Sequence, residues 1–316
     1  MATPMTARQL AERTRRAGEA ALRAATDLGL AAQRATVLHD AFSVVVHLEP
    51  EPVVARIPVV LTGSTRADQQ HRRQQRELDV AAWLAQRGVP VVRPAPQLPR
   101  APVHRDGFAM TFWQLVEVAG DHRAYHGVDL SYSARLHAHL ADYRGALPFL
   151  APFNQGLPEM LAALQPGDLL TAADLDRVWA EYDAMRAVLS CVEAFQAAFP
   201  AVTVQPIQGD VPSHNVIRAK SGILFSDFED ICLGPVEWDI ALLGPAANAE
   251  YDAAAAERGV RATDPAVQRL MDAARRLQFV GCVALVDQLP LLATGLAEAV
   301  RDWRAQSPGW PDQAGS

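Results

Sequence analysis

Three short stretches carry side chains able to do chemistry together: Gln208-Gly209-Asp210-Val211-Pro212-Ser213-His214-Asn215, Ser226-Asp227-Phe228-Glu229-Asp230, and Gly234-Pro235-Val236-Glu237-Trp238-Asp239. An aspartate followed five residues later by an asparagine places a carboxylate and an amide oxygen in one loop, and Asp227 adds a second carboxylate. Oxygen donors of this kind suit a hard cation such as Mg²⁺. A metal ion on the phosphates of a nucleotide and a carboxylate beside an acceptor hydroxyl are the few groups that phosphoryl transfer requires. That reaction is catalysed mainly by positioning and charge stabilisation. The turn Lys220-Ser221-Gly222 folds the chain so that Asn215 and Asp227 start and end adjacent strands, where they can share one ion. Any one of these Asp or Asn residues alone reads as a turn or cap. The ordered set of three carries the signal.

In order and spacing the stretches resemble the aminoglycoside phosphotransferase family, whose signature is His-Gly-Asp, Asn at the fifth place, Asp-Phe-Glu or similar, then Gly-Pro-x-x-Trp-Asp. The likeness runs roughly from residue 35 to 245. It implies an α+β, two-lobed, protein-kinase-like fold. The small N-lobe, a β-sheet with a helix over 1–116, ends in a hinge, and a larger, mainly helical C-lobe over 117–316 holds the catalytic loop and acceptor site. It also implies Mg²⁺-dependent transfer of the γ-phosphoryl group of ATP or GTP to a hydroxyl of a small molecule, an aminoglycoside-type antibiotic or related metabolite. Carried over by position, Asp210 is the catalytic base, Asn215 and Asp227 are the magnesium ligands, and Asp239 braces the loop. Gln208 stands where the family has histidine, at a position that supports the loop and does not transfer the proton.

Positioning these groups falls to elements visible in the hydrophobic period. Thr6 to Leu30 has helical spacing, Phe42–Leu48 and Pro52–Ile57 form a hairpin about Glu49-Pro50-Glu51, and Gln69 to Arg87 returns to a helix ending at Gly88. Phe108 to Val116 is a further strand; helices dominate from Leu130, with one long apolar stripe from Val178 to Phe199 and others over Asp264–Leu289 and Leu291–Arg304. Val53-Val54-Ala55-Arg56-Ile57 resembles the strand whose basic residue meets the nucleotide phosphates. Lysine is usual there; this chain has one lysine, Lys220, and the always-charged guanidinium also fits phosphate oxygens. Glu77, Val80, Ala81 and Leu84 share a helix face, so Glu77 needs a cation, and Arg56 is the natural one. By the same resemblance Leu38 to Val44 covers the phosphates through amides near Phe42 and Ser43, although it holds no glycine. The backbone from Gln114 to Val116 meets the purine; Phe112 and Trp113 read as core.

Composition narrows the classes. Half of the 316 residues are hydrophobic and the formal net charge is −7, which gives no support for nucleic-acid binding and suits a cationic acceptor only weakly. Cys191, Cys232 and Cys282 are too widely spaced for a zinc site and read as reduced thiols. No signal peptide or apolar run of membrane-spanning length is read, so the expected location is cytoplasmic, with no membrane partner. His137 and His139, two apart on a helix, read as structural, and no hydrolase elbow or zinc-protease motif is present. Acidic residues of the C-lobe (Glu237, Glu250, Asp252, Asp287) are the nominees for the acceptor site, against a commoner role as caps. Oligomeric state is not encoded in these patterns. The competing reading is a catalytically weak nucleotide-binding sensor or partner-binding module, motivated by Arg56, Gln208 and the glycine-free loop.

Overall fold

Thr6 starts the first helix of the computed structural model, which describes residues 4–62, 65–123 and 129–306. Its hydroxyl accepts from the Gln9 amide while the Gln9 side chain accepts from the Thr6 N–H, a capping box opening α1 (Ala7–Asp27). The buried face of α1 is alanine: Ala17, Ala20, Ala21, Ala24 and Ala25 lie against the sheet that follows, where small side chains allow close approach.

That sheet comprises β1 (Arg34–Asp40), β2 (Ser43–Glu49) and β3 (Val53–Pro58), then, after α2 (Ala67–Gln86), β4 (Val103–Arg105) and β5 (Phe108–Gln114). It is antiparallel in the order β1-β2-β3-β5-β4. Alternation in β2 and β3 sends Val44, Val46, Leu48, Val53, Ala55 and Ile57 toward α1, and Val54 with Trp113 toward Leu78, Val80 and Leu84 of α2. The register sets Val45 opposite Arg56 and Arg56 opposite Thr111, which fixes where Arg56 emerges.

The second lobe runs through α3 (Leu130–Leu140), a π-turn over Pro152–Gly156, α4 (Leu157–Ala163), α5 (Ala172–Leu189) and α6 (Val192–Ala198). Next come β6 (Gln205–Ile207), β7 (Val216–Ala219), β8 (Gly222–Phe225) and β9 (Cys232–Gly234), with helices α7 (Pro245–Ala256), α8 (Pro265–Gly281) and α9 (Ala293–Ala305) closing the chain. β6 pairs with β9 and β7 with β8, so two small ribbons frame residues 208–215 and 226–231. The architecture is thus two-lobed α+β, with a sheet-containing lobe followed by a helical one.

Three expectations change. The stripe from Val178 to Phe199 is two helices: the Leu189 carbonyl is taken by Asn154 Nδ2 at 2.8 Å, Cys191 is extended, and its Sγ caps α6. The segment from Asp264 to Leu289 ends its α-helix at Gly281 and tightens to a 3₁₀ turn over Cys282–Leu285. The loop expected to cover the phosphates shrinks to Ala41 and Phe42, because Leu38–Asp40 belong to β1 and Ser43 opens β2. The tail beyond Gln306, expected to fray, lies outside the described residues from 307 onward.

Candidate active site

The loop after β6 is braced from below. Asp239, fully buried, accepts from the Gln208 N–H at 2.8 Å, the Gly209 N–H at 2.9 Å and His137 Nε2 at 3.0 Å. His137 Nδ1 lies 2.8 Å from the Tyr251 hydroxyl, and Trp238 Nε1 donates to the Gly209 carbonyl at 2.9 Å. Desolvation pushes the Asp239 carboxyl above its ordinary range against the pull of His137, so its bonds to two loop amides matter for the loop's shape. Gly209 has φ +83, and a Cβ there would meet the Asp230 carbonyl oxygen at 2.0 Å; no other residue fits.

Gln208 accounts for its own presence. Its side-chain Nε2 donates to the Ser226 carbonyl at 2.7 Å and the Asp227 carbonyl at 2.8 Å, tying the loop to the segment after β8. An amide nitrogen carries two hydrogens for these two acceptors, whereas a neutral imidazole has one N–H. Asp227 adopts φ +61, left-handed backbone that costs a non-glycine residue about 1–2 kcal/mol and persists because its carbonyl is held in this way.

Asp210 follows Gly209. One of its oxygens accepts from Asn215 Nδ2 at 3.1 Å and the other from Arg275 Nη2. Arg275 comes from α8, is 5% exposed, and lies over the Trp238 ring at 5.3 Å from its centroid. Desolvation works against ionisation of Asp210, but Arg275 and Asn215 outweigh it and hold the carboxyl below the usual range. Asn215 Nδ2 also donates to the Val211 carbonyl at 3.2 Å, which leaves the amide oxygen as the atom Asn215 can offer a cation. Sequence reasoning missed Arg275: it lies 65 positions from Asp210, on a helix whose period marks it only as one more inward residue.

From the sheet of the first lobe, Arg56 acts as a hub. Its Nη1 donates to both oxygens of Glu77 at 3.0 Å, and its Nη2 lies 3.0 Å from Asp227 and from Glu229. Glu77 is 2% exposed, so the pairing inferred from its place on the helix face is direct. Arg73 completes the network, 3.4 Å from Glu229 and 2.6 Å from Asp230. Four carboxylates here face two guanidiniums, a formal excess of two negative charges. Desolvation, then crowding by Glu229, Glu77 and Asp210, push Asp227 up to about 8 despite Arg56. The side chain still keeps 40% of its surface open, a route for an ion.

Asn215 and Asp227 stand at the base of one hairpin: Val216 pairs with Phe225, and the Ser226 N–H donates to the Asn215 carbonyl at 2.9 Å. One amide oxygen and one carboxylate do not make a cage, and no cluster of three His, Cys, Asp or Glu side chains fit for a metal occurs among the described residues. They do fit Mg²⁺, which keeps several waters and is held by one or two carboxylates plus substrate phosphates. The acidic excess around Asp227 supplies the charge such an ion would neutralise.

The profile of the phosphotransferase enzyme family matches residues 43–277, about three-quarters of the chain and all of the residues just described. The chain belongs to that family. No curated protein matches it by sequence. Solved structures of the same shape include a microcompartment-associated aminopropanol kinase, 17% identical with a TM-score of 0.58 over 89% of this chain and 93% of that one. The choline kinase LicA from Streptococcus pneumoniae is 9% identical, with a TM-score of 0.59 over 90% and 98%. A GDP and kanamycin complex of an aminoglycoside phosphotransferase, APH(2")-IIIa, is 14% identical, with a TM-score of 0.54 over 90% and 97%. At these identities the likeness is one of fold.

Elsewhere in this phosphotransferase the nominated residues fare unevenly. The Gln114 N–H is committed to the Arg93 carbonyl at 2.8 Å and the Leu115 N–H to that of Pro52 at 3.0 Å, leaving Val116 as the amide of that stretch without an acceptor among the described residues. Phe42 forms the β1–β2 tip and is exposed; its carbonyl is held by the Val59 and Val60 amides, and Ser43 is buried. The tip is therefore a tight turn pinned to the end of β3. Of the four acidic nominees for the acceptor, three serve the fold. Glu237 is buried against Arg261 and accepts from the Asp264 N–H, Glu250 caps Leu130, and Asp252 accepts from Thr263. Asp287 is half-buried, and its backbone carbonyl accepts from the Met5 N–H.

Proposed function

We propose that this phosphotransferase moves the terminal phosphoryl group of ATP or GTP, carried with Mg²⁺, to a hydroxyl group of a small molecule. The observation that carries the reading is the meeting of two groups at the base of one hairpin: an ionised, positioned Asp210 bonded to Asn215, and Asp227 in the carboxylate-rich network around Arg56. In this reading the metal-bound triphosphate sits beside both groups. When bound, Mg²⁺ supplies positive charge to the phosphate oxygens, and Asn215 and Asp227 are the residues to hold it. Arg56, kept in place by Glu77, lies where the α- and β-phosphates are taken in this reading, and Val116 offers its amide to the base. The nucleotide lobe is then 1–116 and the acceptor lobe 117–316.

Asp210 accepts a hydrogen bond from the acceptor hydroxyl, aims the hydroxyl oxygen at the phosphorus, and takes its proton as the new P–O bond forms and the bond from the phosphorus to the departing nucleoside diphosphate breaks. A carboxylate held below the usual range is a weak base, which suits a loose transition state in which the proton moves late. The acceptor class extends from amino alcohols to hydroxylated antibiotics, the chemistry named for the structural neighbours. Because Glu237, Glu250 and Asp252 serve the fold, binding of a polyamine acceptor does not rest on them.

The test is turnover. The protein is incubated with Mg²⁺, ATP or GTP and a panel of hydroxylated compounds, and products are screened for a mass gain of one phosphate. Asp210→Ala is expected to abolish transfer while nucleotide still binds; Asp227→Ala is expected to weaken metal-dependent nucleotide binding as well. Transfer by Asp210→Ala at the wild-type rate would show that the base is misassigned.

A further inference from the structure

The face of α2 beside the one that carries Glu77 borders a cleft of about 340 Å³. Arg66, Arg72 and Arg76 form one wall; Asn154, Gln155 and Glu159, from the π-turn and α4, form the other. Arg66 and Arg72 share a single acidic neighbour, Asp68, at 3.6 and 2.8 Å. Arg76 has no hydrogen-bond acceptor or ion-pair partner among the described residues, and its Nε is sealed from solvent with nothing to donate to. Glu159, the one carboxylate of the opposite wall, is turned to Thr62 at 2.7 Å, Thr65 at 3.3 Å and Gln69 at 3.0 Å. Desolvation, then the like charges of Arg73 and Arg72, hold the Arg76 guanidinium below its ordinary range against the pull of Cys232 and Asp230.

A half-buried guanidinium without a bonded counter-ion is costly, and an orphaned donor inside a cleft marks a missing acceptor. Guanidinium groups present planar forks of N–H donors that match the oxygens of phosphate and carboxylate groups. We propose that this cleft binds an oxyanion, a phosphate or carboxylate group of a small molecule, with Arg76 as its principal contact and Arg72 as the second. Arg76 immediately precedes Glu77 and lies one turn beyond Arg73, the partner of Glu229 and Asp230. The two walls belong to different lobes, so an anion bound there fixes the helix that carries Glu77 relative to the helical lobe. The site therefore bears on the geometry of the Arg56 hub without touching it.

The anion has two sources, a free effector or a charged group on the acceptor itself, and both are testable. The first experiment needs no turnover: thermal unfolding is followed against inorganic phosphate, with chloride adjusted to constant ionic strength. Phosphate is expected to raise the unfolding temperature of the wild type, and a non-hydrolysable ATP analogue with Mg²⁺ is expected not to remove the effect. Arg76→Gln, which breaks no bond in the fold, is expected to weaken the response at least tenfold in phosphate concentration, and Arg72→Gln by a smaller factor. Equal responses in wild type and Arg76→Gln, or no response beyond that of chloride, overturn the proposal. Loss of the response with the ATP analogue also overturns it, by placing the phosphate in the nucleotide cleft. Once an acceptor is known, the source follows from kinetics. Competitive inhibition by phosphate, with a raised KM in Arg76→Gln, indicates the acceptor's own anionic group; a change in kcat that acceptor does not reverse indicates a free effector.

Discussion

Replacing Arg275 with Met keeps most of the side chain's volume and removes only its charge and hydrogen bonds. Four contacts are lost: the Nη2 contact to Asp210, the Nη1 contacts to Gln278 at 2.9 Å and to the Gly209 carbonyl at 3.4 Å, and the stacking over Trp238. Asp210 keeps 46% of its side-chain surface in contact with solvent. The pair therefore falls between exposed ion pairs, worth about 0.2–1 kcal/mol, and fully buried ones, whose breakage costs about 3–5 kcal/mol. A loss of about 1–2 kcal/mol of stability is expected. Asp210 would be left with Asn215 as its only bonded side-chain partner. One charge-assisted hydrogen bond that orients the carboxylate is worth about 1.5–3 kcal/mol, so kcat is expected to fall roughly 10- to 100-fold. The pH dependence separates charge from packing. A carboxyl held below its unfolded-state pKa contributes stability that is present above that value and lost as pH falls. The deficit of Arg275→Met relative to wild type should therefore be full at neutral pH and close below about pH 4. Urea unfolding across pH and transfer rates measured with Mg²⁺-nucleotide are the assays. A kcat within twofold of wild type would refute the positioning role. A stability deficit independent of pH would show that packing, not the ion pair, was lost.

Because Asp227 is pushed up to about 8, divalent-metal binding must displace its proton. Mg²⁺ affinity is expected to weaken by about tenfold per pH unit below that value, with proton release detectable by calorimetry in two buffers; a flat profile would contradict it. Gln208→Met leaves the Ser226 and Asp227 carbonyls without their shared donor, and should cost about 1–3 kcal/mol in urea unfolding. Gly209→Ala places a methyl group 2.0 Å from the Asp230 carbonyl oxygen at a left-handed φ, so transfer should be abolished even where the variant still folds by circular dichroism.

Much of this protein is written locally. The alternation of β2 and β3, the alanine face of α1 and the capping signals at Thr6 and Gly88 are properties of neighbouring residues. Backbone period and turn chemistry thus set the elements before any long-range contact forms. The loop that bears Asp210 and Asn215, and the hairpin that returns Asp227 to them, span few enough residues to be read from spacing. The Arg56–Glu77 pair follows from one carboxylate on an apolar helix face. What the tertiary structure alone decided lies at long sequence separation. Arg275 reaches Asp210 from α8, Arg73 meets Glu229 and Asp230 from the other lobe, and His137 joins Tyr251 to Asp239. The same distance explains why Val178–Phe199 broke, through Asn154, and why acidic nominees such as Glu237 became structural anchors. A side chain's local pattern shows which way it faces, but its charge is answered by whichever residue the fold brings opposite, and no period in the chain encodes that.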